Sequence, residues 1–279
     1  MRIQYLGTAA AEGWPAVFCH CPFCEEARRR GGRDIRTRSQ ALIEEDLLID
    51  FPPDSYLHIL QQGIDLSAAK YLLLTHSHMD HMFPQELVLR GGCYAHKMVS
   101  PDLHIFGSSC TKAAFDRFSE PELEQEIAKH LHWHILEPFE PVKAGDYQVT
   151  ALPANHMPSG QALNYLIQKD GKTLLYWHDT GWPFESVFDY LVRAGIHPDL
   201  VSMDCTSGPQ EEGPQGGHMG IPDNRKVKDR LEAEGICSGQ TVYVINHFSH
   251  NGGLLYDELC EMVRKDGFLV SFDGRIVEY

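Results

Sequence analysis

The apolar run Tyr71-Leu72-Leu73-Leu74-Thr75 leads without a break into His76-Ser77-His78-Met79-Asp80-His81. The first part has the length and apolar character of a buried strand. The second crowds imidazoles and a carboxylate into a short loop just past the strand end. A chain built this way must fold so that other strand ends, carrying further donors, reach the same edge. In an extended loop His76 and His78 point the same way and can share one metal. Asp80 and His81 face a second as the chain turns. Imidazole suits zinc, iron and manganese, and an added carboxylate suits the harder ions. An ordinary solvated loop explains this density poorly.

The rest of the chain alternates short apolar runs with stretches of helical period. Strands are expected at residues 2–6, 39–43, 46–49, 71–74 and 103–106. Residues 54–62 form a helix with Tyr56, Leu57, Ile59 and Leu60 on one face, closed by Gly63. Residues 110–118 and 122–130 read as helices of an insertion on one side. In the second half, strands are expected at 133–136, 147–152, 163–168, 173–177, 200–203 and 242–245. Helices at 184–194, ended by Gly195, and at 223–234 and 254–264 separate them. Residues 268–272 and 275–278 are predicted to pair as a hairpin across Asp273-Gly274. With no Pro/Ser/Gly-rich linker and no short repeat, the expectation is one α/β domain over residues 1–279, two facing sheets with outer helices.

The formal net charge of −15 argues against a general nucleic-acid binder. It does not forbid an anionic substrate, because bound cations would dominate the local field. The basic residues Arg28, Arg29, Arg30, Arg33, Arg36 and Arg38 are read as a solvated helix face and loop. No apolar run has the length of a signal peptide or a membrane span, so a cytoplasmic protein is expected. There reduced thiols are the rule. Cys93, Cys110, Cys205, Cys237 and Cys260 are read as small buried apolar residues. Cys19, Cys21 and Cys24 differ, because their CxCxxC spacing converges on one tetrahedral zinc. His20 is badly placed to join its own neighbours. The fourth ligand chosen is His250, close behind His247 in His247-Phe248-Ser249-His250.

Thr75-His76-Ser77-His78-Met79-Asp80-His81 matches the HxHxDH motif of the metallo-β-lactamase superfamily, and further landmarks in order extend the resemblance over essentially the whole chain. It implies a four-layer αββα sandwich with metal ligands at strand ends. Asp50 resembles the family's early strand-end aspartate, which braces the site. His156 resembles the third histidine of the first metal, Asp179 the bridging carboxylate, and Asp204 another strand-end acid. His247 resembles the last ligand. The implied set is His76, His78 and His156 on one metal, Asp80, His81 and His247 on the other, and Asp179 between. His178 competes with Asp179, but adjacent strand residues face opposite ways. His130, His132 and His134 are read as a surface face. His20, His58, His96, His104 and His197 are given no role.

The cysteine loop resembles the branch holding the phosphoribosyl cyclic phosphate phosphodiesterase of carbon–phosphorus lyase pathways. The pyrroloquinoline quinone biosynthesis B protein carries a similar loop, and the tRNA 3′-processing endonucleases are more distant relatives. Phosphodiesterase members carry a histidine in a loop like Gly216-Gly217-His218-Met219-Gly220, set against the substrate phosphate. His218 would stabilise a departing oxygen there, with Gly213, Gly216, Gly217 and Gly220 leaving the loop free to close. The resemblance thus implies a phosphodiesterase with Asp80 and His218 as catalytic residues. It implies two Mn2+ or Zn2+ ions at the catalytic site, one structural Zn2+, a small cyclic phosphodiester as substrate and a homodimer. The rivals are a tRNA 3′-processing endonuclease, an iron-dependent oxygenase and a non-catalytic metal-binding protein. The acidic chain and the lack of a long basic arm weigh against the first. The intact dinuclear set weighs against the second, and Asp80 with a free His218 weighs against the third.

Overall fold

The computed structural model describes residues 1–120 and 122–279. The chain begins with β1 (Arg2–Gly7), β2 (Gln40–Ile43), β3 (Leu47–Ile49), β4 (Tyr71–Leu73), β5 (Leu103–Gly107) and β6 (Leu131–Ile135). Then follow β7 (Pro141–Ala144), β8 (Tyr147–Pro153), β9 (Leu163–Lys169), β10 (Lys172–Trp177), β11 (Leu200–Asp204), β12 (Val242–Asn246) and β13 (Phe268–Val270). A last strand, β14 (Arg275–Glu278), returns to the first group. Two seven-stranded sheets result, with orders β14-β1-β2-β3-β4-β5-β6 and β13-β12-β11-β10-β9-β8-β7. In each sheet antiparallel and parallel pairings divide the strands, with β3-β4-β5-β6 and β10-β11-β12-β13 parallel.

The period of two decides the layers. In β4, Leu73 faces the other sheet while Leu72 faces the outer layer. Between the sheets Ile3, Tyr5, Leu73 and Phe106 meet Val149, Tyr165, Tyr176 and Val244. Outside the second sheet, α5 (Glu185–Arg193), α6 (Ile221–Ala233) and α7 (Tyr256–Met262) bury Phe188, Leu231 and Leu259. Outside the first, α3 (Ser109–Ser119) buries Phe115. These four layers, helix–sheet–sheet–helix, are the αββα sandwich that the resemblance implies. Two buried hydrogen bonds tie the sheets together beside the histidine loop. Tyr165 Oη donates to the carbonyl of Leu74 at 2.5 Å, and Leu163 N to the carbonyl of Thr75 at 2.9 Å.

Some expectations differ from the fold. Residues 268–272 and 275–278 do not form a hairpin: β13 pairs with β12 in one sheet and β14 with β1 in the other. The Asp273-Gly274 turn instead carries the chain across. Gly274 N donates to the carbonyl of Tyr5, and Asp273 accepts from Thr8 Oγ1, Thr37 Oγ1 and Thr37 N. α3 and the short α4 (Gln125–Ala128) are not an insertion but the crossover that lets β5 and β6 run parallel. β7 escaped the sequence reading because Pro141-Val142-Lys143-Ala144 lacks a clean alternation. In α2 (Ser55–Gln62) the apolar pattern misleads. Tyr56 and Leu60 are exposed, whereas Ser55 and His58 are buried and bonded to Gln40 and Thr37. Of the basic residues, Arg28, Arg29 and Arg30 pair with glutamates at the surface, but Arg36 is buried beneath Thr8 and Ser271.

Candidate metal centre

The donors collect where the strands end. Asp50 follows β3, the His76–His81 loop follows β4 and His156 follows β8. Asp179 follows β10, Asp204 closes β11 and His247 follows β12. Three of them hold left-handed backbone: Asp50 at φ 63°, Asp179 at φ 50° and His247 at φ 63°. Non-glycine residues rarely adopt this region, and such strain concentrates at functional sites. At Asp179 it has a clear consequence. Tyr176 faces the inter-sheet core and Trp177 the helices, so strict alternation would send Asp179 outward with Trp177. The positive φ turns it to the sheet end instead. His178 stays inside, tilted against Tyr176 with ring centroids 3.8 Å apart, Nε2 2.6 Å from Ser202 Oγ and Nδ1 3.0 Å from Asn246 Nδ2.

Around Asp179 the rings converge. Its Oδ2 lies 3.1 Å from His76 Nε2, 3.2 Å from His81 Nε2 and 3.4 Å from His156 Nε2. His78 Nδ1 is 2.9 Å from His76 Nε2 and 3.3 Å from His156 Nε2. On the other side, His81 Nε2 is 3.1 Å from Asp80 Oδ2 and 3.4 Å from His247 Nε2. Two groups of donors follow, each within 4.8 Å of one another: His76, His78, His156 and Asp179, then Asp80, His81, Asp179 and His247. These are the residues that the resemblance singled out. Each group offers the imidazole and carboxylate set that divalent ions accept.

A third grouping, Asp179, Asp204, His218 and His247, is equally compact. We read it as support. Asp204 already accepts from Thr206 N, Thr206 Oγ1 and Met219 N, which takes three of its roughly four acceptor positions. Thr206 Oγ1 stands 2.8 Å from His247 Nδ1, turning Nε2 toward His81. Asp50 does the same for His81, whose Nδ1 is 2.7 Å from Asp50 Oδ2. Thr75 donates to Asp50 from both N and Oγ1. Carboxylates orienting ligand histidines in this way are the usual outer support of a metal site.

The electrostatics call for cations. Asp50, Asp80, Asp179 and Asp204 are all buried, and among the described residues no lysine or arginine contacts them. Burial alone would raise the carboxyl groups, yet His247, His76 and His81 hold Asp179 well below the usual range, and His81 does so for Asp80. Burial lowers His76 and His156, the latter to about 4, which suits neutral ligands. His81 moves the other way: Asp80 and Asp50 outweigh burial and raise it. For His218, burial is outweighed by Asp204 and Asp179, which raise it to about 9. Asp179 Oδ1 and His218 Nδ1 sit 3.3 Å apart, both buried and neither in hydrogen-bond geometry. Buried acid without fixed positive charge is costly unless a cation compensates, so the donor set fits metal.

A second cluster joins Cys19, Cys21, Cys24 and His250 within 4.8 Å of one another. His250 Nδ1 lies 3.4 Å from Cys21 Sγ and 3.7 Å from Cys19 Sγ. Burial opposes ionisation of Cys21, but the Cys24 backbone N–H and His250 stabilise its thiolate and hold the thiol below its ordinary range. Cys24 is set by the first turn of α1 (Pro22–Arg30), which starts on a proline suited to that position.

A 440 Å³ cleft opens onto the centre, with His78, Asp80, His156, Asp179, His218 and His247 in its wall. Glu12, Ser207, Gln210, Glu212, Ser249 and Asn251 complete it, and none of these carried a sequence signal. Thr206 was also missed, whereas Thr75 stood beside the motif. Tyr94, Trp182 and the Arg28–Arg38 stretch do not line the cleft. Of the glycines near His218, Gly216 and Gly220 serve close packing, while Gly213 and Gly217 have open space around them. A Cβ on Gly220 would fall 1.7 Å from the Gln210 carbonyl oxygen, and one on Gly181 2.0 Å from that of Gly216.

Comparison with known proteins agrees with this architecture. The family described as the Beta-lactamase superfamily domain matches residues 47–238. Coenzyme PQQ synthesis protein B of Acinetobacter baumannii is 24% identical over 326 aligned positions that cover 100% of both chains. An octanoyltransferase of Porphyromonas gingivalis is 42% identical over 86 residues. That match takes in 29% of this chain and only 16% of the octanoyltransferase, a much longer protein. Among solved structures, a new diphosphatase from the PhnP family superposes with a TM-score of 0.75 at 17% identity, covering 100% of this chain and 97% of that one. The matched span covers well over half the chain and takes in the histidine loop, Asp179 and the His218 loop, so the chain belongs to the beta-lactamase superfamily, in its metallo-β-lactamase fold.

Proposed function

We propose that the chain, as one hydrolase domain over residues 1–279, is a dinuclear metal-dependent phosphodiesterase acting on a small, cyclic or related phosphodiester. His76, His78 and His156 would hold one ion and Asp80, His81 and His247 the other, with Asp179 shared. Mn2+ or Zn2+ suits both positions. A structural Zn2+ would take Cys19, Cys21, Cys24 and His250. When bound, two such cations lower the pKa of a shared water and polarise the phosphoryl oxygens.

The observation that carries this reading is His218. It stands in the cleft wall beside Asp179, and its Nδ1 faces Asp179 Oδ1 at 3.3 Å and Asp204 Oδ2 at 3.5 Å. Those two carboxylates face Nδ1 and hold the ring above its ordinary range, which leaves Nε2 to act as the proton donor. In hydrolysis the oxygen of water bonds to phosphorus while the ester P–O bond breaks. Asp80 orients the attacking water through a hydrogen bond, the proton that the water loses passes to solvent and later restores His218, and His218 Nε2 gives its own proton to the departing alkoxide. A cytoplasmic setting suits the cysteines, all of which are free.

The test is direct. Metals per chain are counted by mass spectrometry, and bis(p-nitrophenyl) phosphate is assayed with added Mn2+. Two ions beyond the cysteine-bound one, with hydrolysis abolished in Asp80→Ala, support the reading. A fully loaded protein that leaves this diester and small cyclic phosphodiesters intact sinks it.

A further inference from the structure

The lining of the cleft contains no lysine or arginine. Away from the ligand residues and His218, its charge comes from Glu12 and Glu212. Both are held in place by the chain. Glu12 Oε1 accepts from Ser249 Oγ at 2.5 Å and lies 3.7 Å from His250 Nε2. Glu212 Oε1 accepts from Ser207 Oγ at 2.9 Å, while its own backbone N–H donates to Asp223 Oδ2 at 2.9 Å. Among the described residues, no lysine or arginine pairs with either carboxylate. Gln210 and Asn251 add neutral hydrogen-bonding groups beside them.

A carboxylate offers about four acceptor positions, so one hydroxyl donor each leaves spare capacity on two carboxylates that line the cleft. A sugar hydroxyl satisfies it with a charge-assisted bond. A phosphate in the same place meets like charge, with no lysine or arginine in the lining to offset it and His218 assigned to the reacting group. The reacting phosphate escapes this penalty because it lies against the metal centre; a second phosphate, further out, does not.

We propose that Glu12 and Glu212 determine specificity. They select phosphodiesters whose non-reacting part is a neutral, hydroxyl-bearing group such as an unphosphorylated ribose, and they turn away those bearing a further phosphate. This inference rests on the phosphodiesterase reading above. It also separates the chain from an enzyme for phosphorylated sugars, whose cleft would need a lysine or arginine in its lining.

The experiment uses the Mn2+-loaded full chain and three substrates: bis(p-nitrophenyl) phosphate, cytidine 2′,3′-cyclic phosphate and its 5′-phosphorylated counterpart. The 5′-hydroxyl compound is expected to exceed the 5′-phosphorylated one in kcat/KM by about tenfold or more, mainly through KM. Salt should shrink the ratio, since exposed charges are screened. In the Glu12→Gln, Glu212→Gln double variant the ratio should fall several-fold toward unity. Equal rates for the two cyclic compounds, or preference for the phosphorylated one, overturn the inference while leaving the phosphodiesterase reading intact. A ratio unchanged in the double variant overturns the assignment to these residues. If the aryl diester and both cyclic compounds are all left intact, the phosphodiesterase reading falls and the inference falls with it.

Discussion

Thr206 touches no cleft ligand except through its hydroxyl, yet that hydroxyl fixes two others. It donates to Asp204 Oδ2 at 2.9 Å and stands 2.8 Å from His247 Nδ1. Replacing it by valine keeps the shape and removes the polar contact. Thr206→Val should weaken metal binding about 10- to 100-fold, read by competition with a chromogenic chelator, while circular dichroism stays unchanged. His218 makes the opposite case. It lies in the compact grouping with Asp179, Asp204 and His247, but Asp204 gives most of its acceptor positions to Thr206 and Met219. His218→Ala should therefore lower kcat about 10²- to 10⁴-fold with the metal count per chain unchanged. Loss of one ion in this variant would make His218 a ligand and remove the proton donor from the scheme.

At the scale of elements, the turn at Asp273-Gly274 shows what a local signal can and cannot say. Asp-Gly between apolar runs is a strong hairpin sign, but the flanking strands join different sheets because Thr8, Thr37 and Tyr5 hold the turn over β1. The same limit explains α2, where cross-chain bonds from Gln40 and Thr37 bury His58 against the apolar pattern. Strands with both faces covered were legible, because Tyr71-Leu72-Leu73-Leu74 and Leu200-Val201-Ser202-Met203 read as buried without knowledge of partners. The site was legible where donors cluster in sequence or end such strands. The Glu12 and Glu212 wall was not, because it exists only once β1, α6 and the loops at their ends meet. A measurable consequence lies in the turn. Burial raises Asp273 to about 6, with Arg36 as the opposing charge and neutral His58 beyond Thr37. A folded value above the ordinary 3.8 means that the native state holds the proton more tightly. This contribution is fully present below pH 4 and is lost as pH rises through about 6. The difference in unfolding free energy between wild type and Asp273→Asn should accordingly shift in favour of the variant from pH 4 to pH 6.5, as urea titrations would show; a flat difference places the titration elsewhere.

For the whole molecule, charge and metal are one problem. The chain carries a formal net charge of −15, and four of its aspartates are buried around a single point with imidazoles, among the described residues, as their only partners able to carry positive charge. Without cations these groups hold protons on His81 and His218 and keep like charges close. Cations that bind the folded chain alone must then stabilise it by mass action, about 2.7 kcal/mol at a hundredfold excess over Kd. For a chain of this size, that corresponds to roughly 5–10 °C in Tm. Removal of metal by chelation should lower Tm by that order, and Mn2+ or Zn2+ should restore it. The cysteine cluster contributes separately, because it ties the loop after β1 to the segment after β12 through His250. In Cys21→Ser, which removes one thiolate, the starting Tm should drop and the zinc count fall by one. The Mn2+-dependent rise should remain, since its ligands lie on other strand ends. If Mn2+ gives no rise in either protein, the buried carboxylates are compensated by protons alone, and the dinuclear centre does not form.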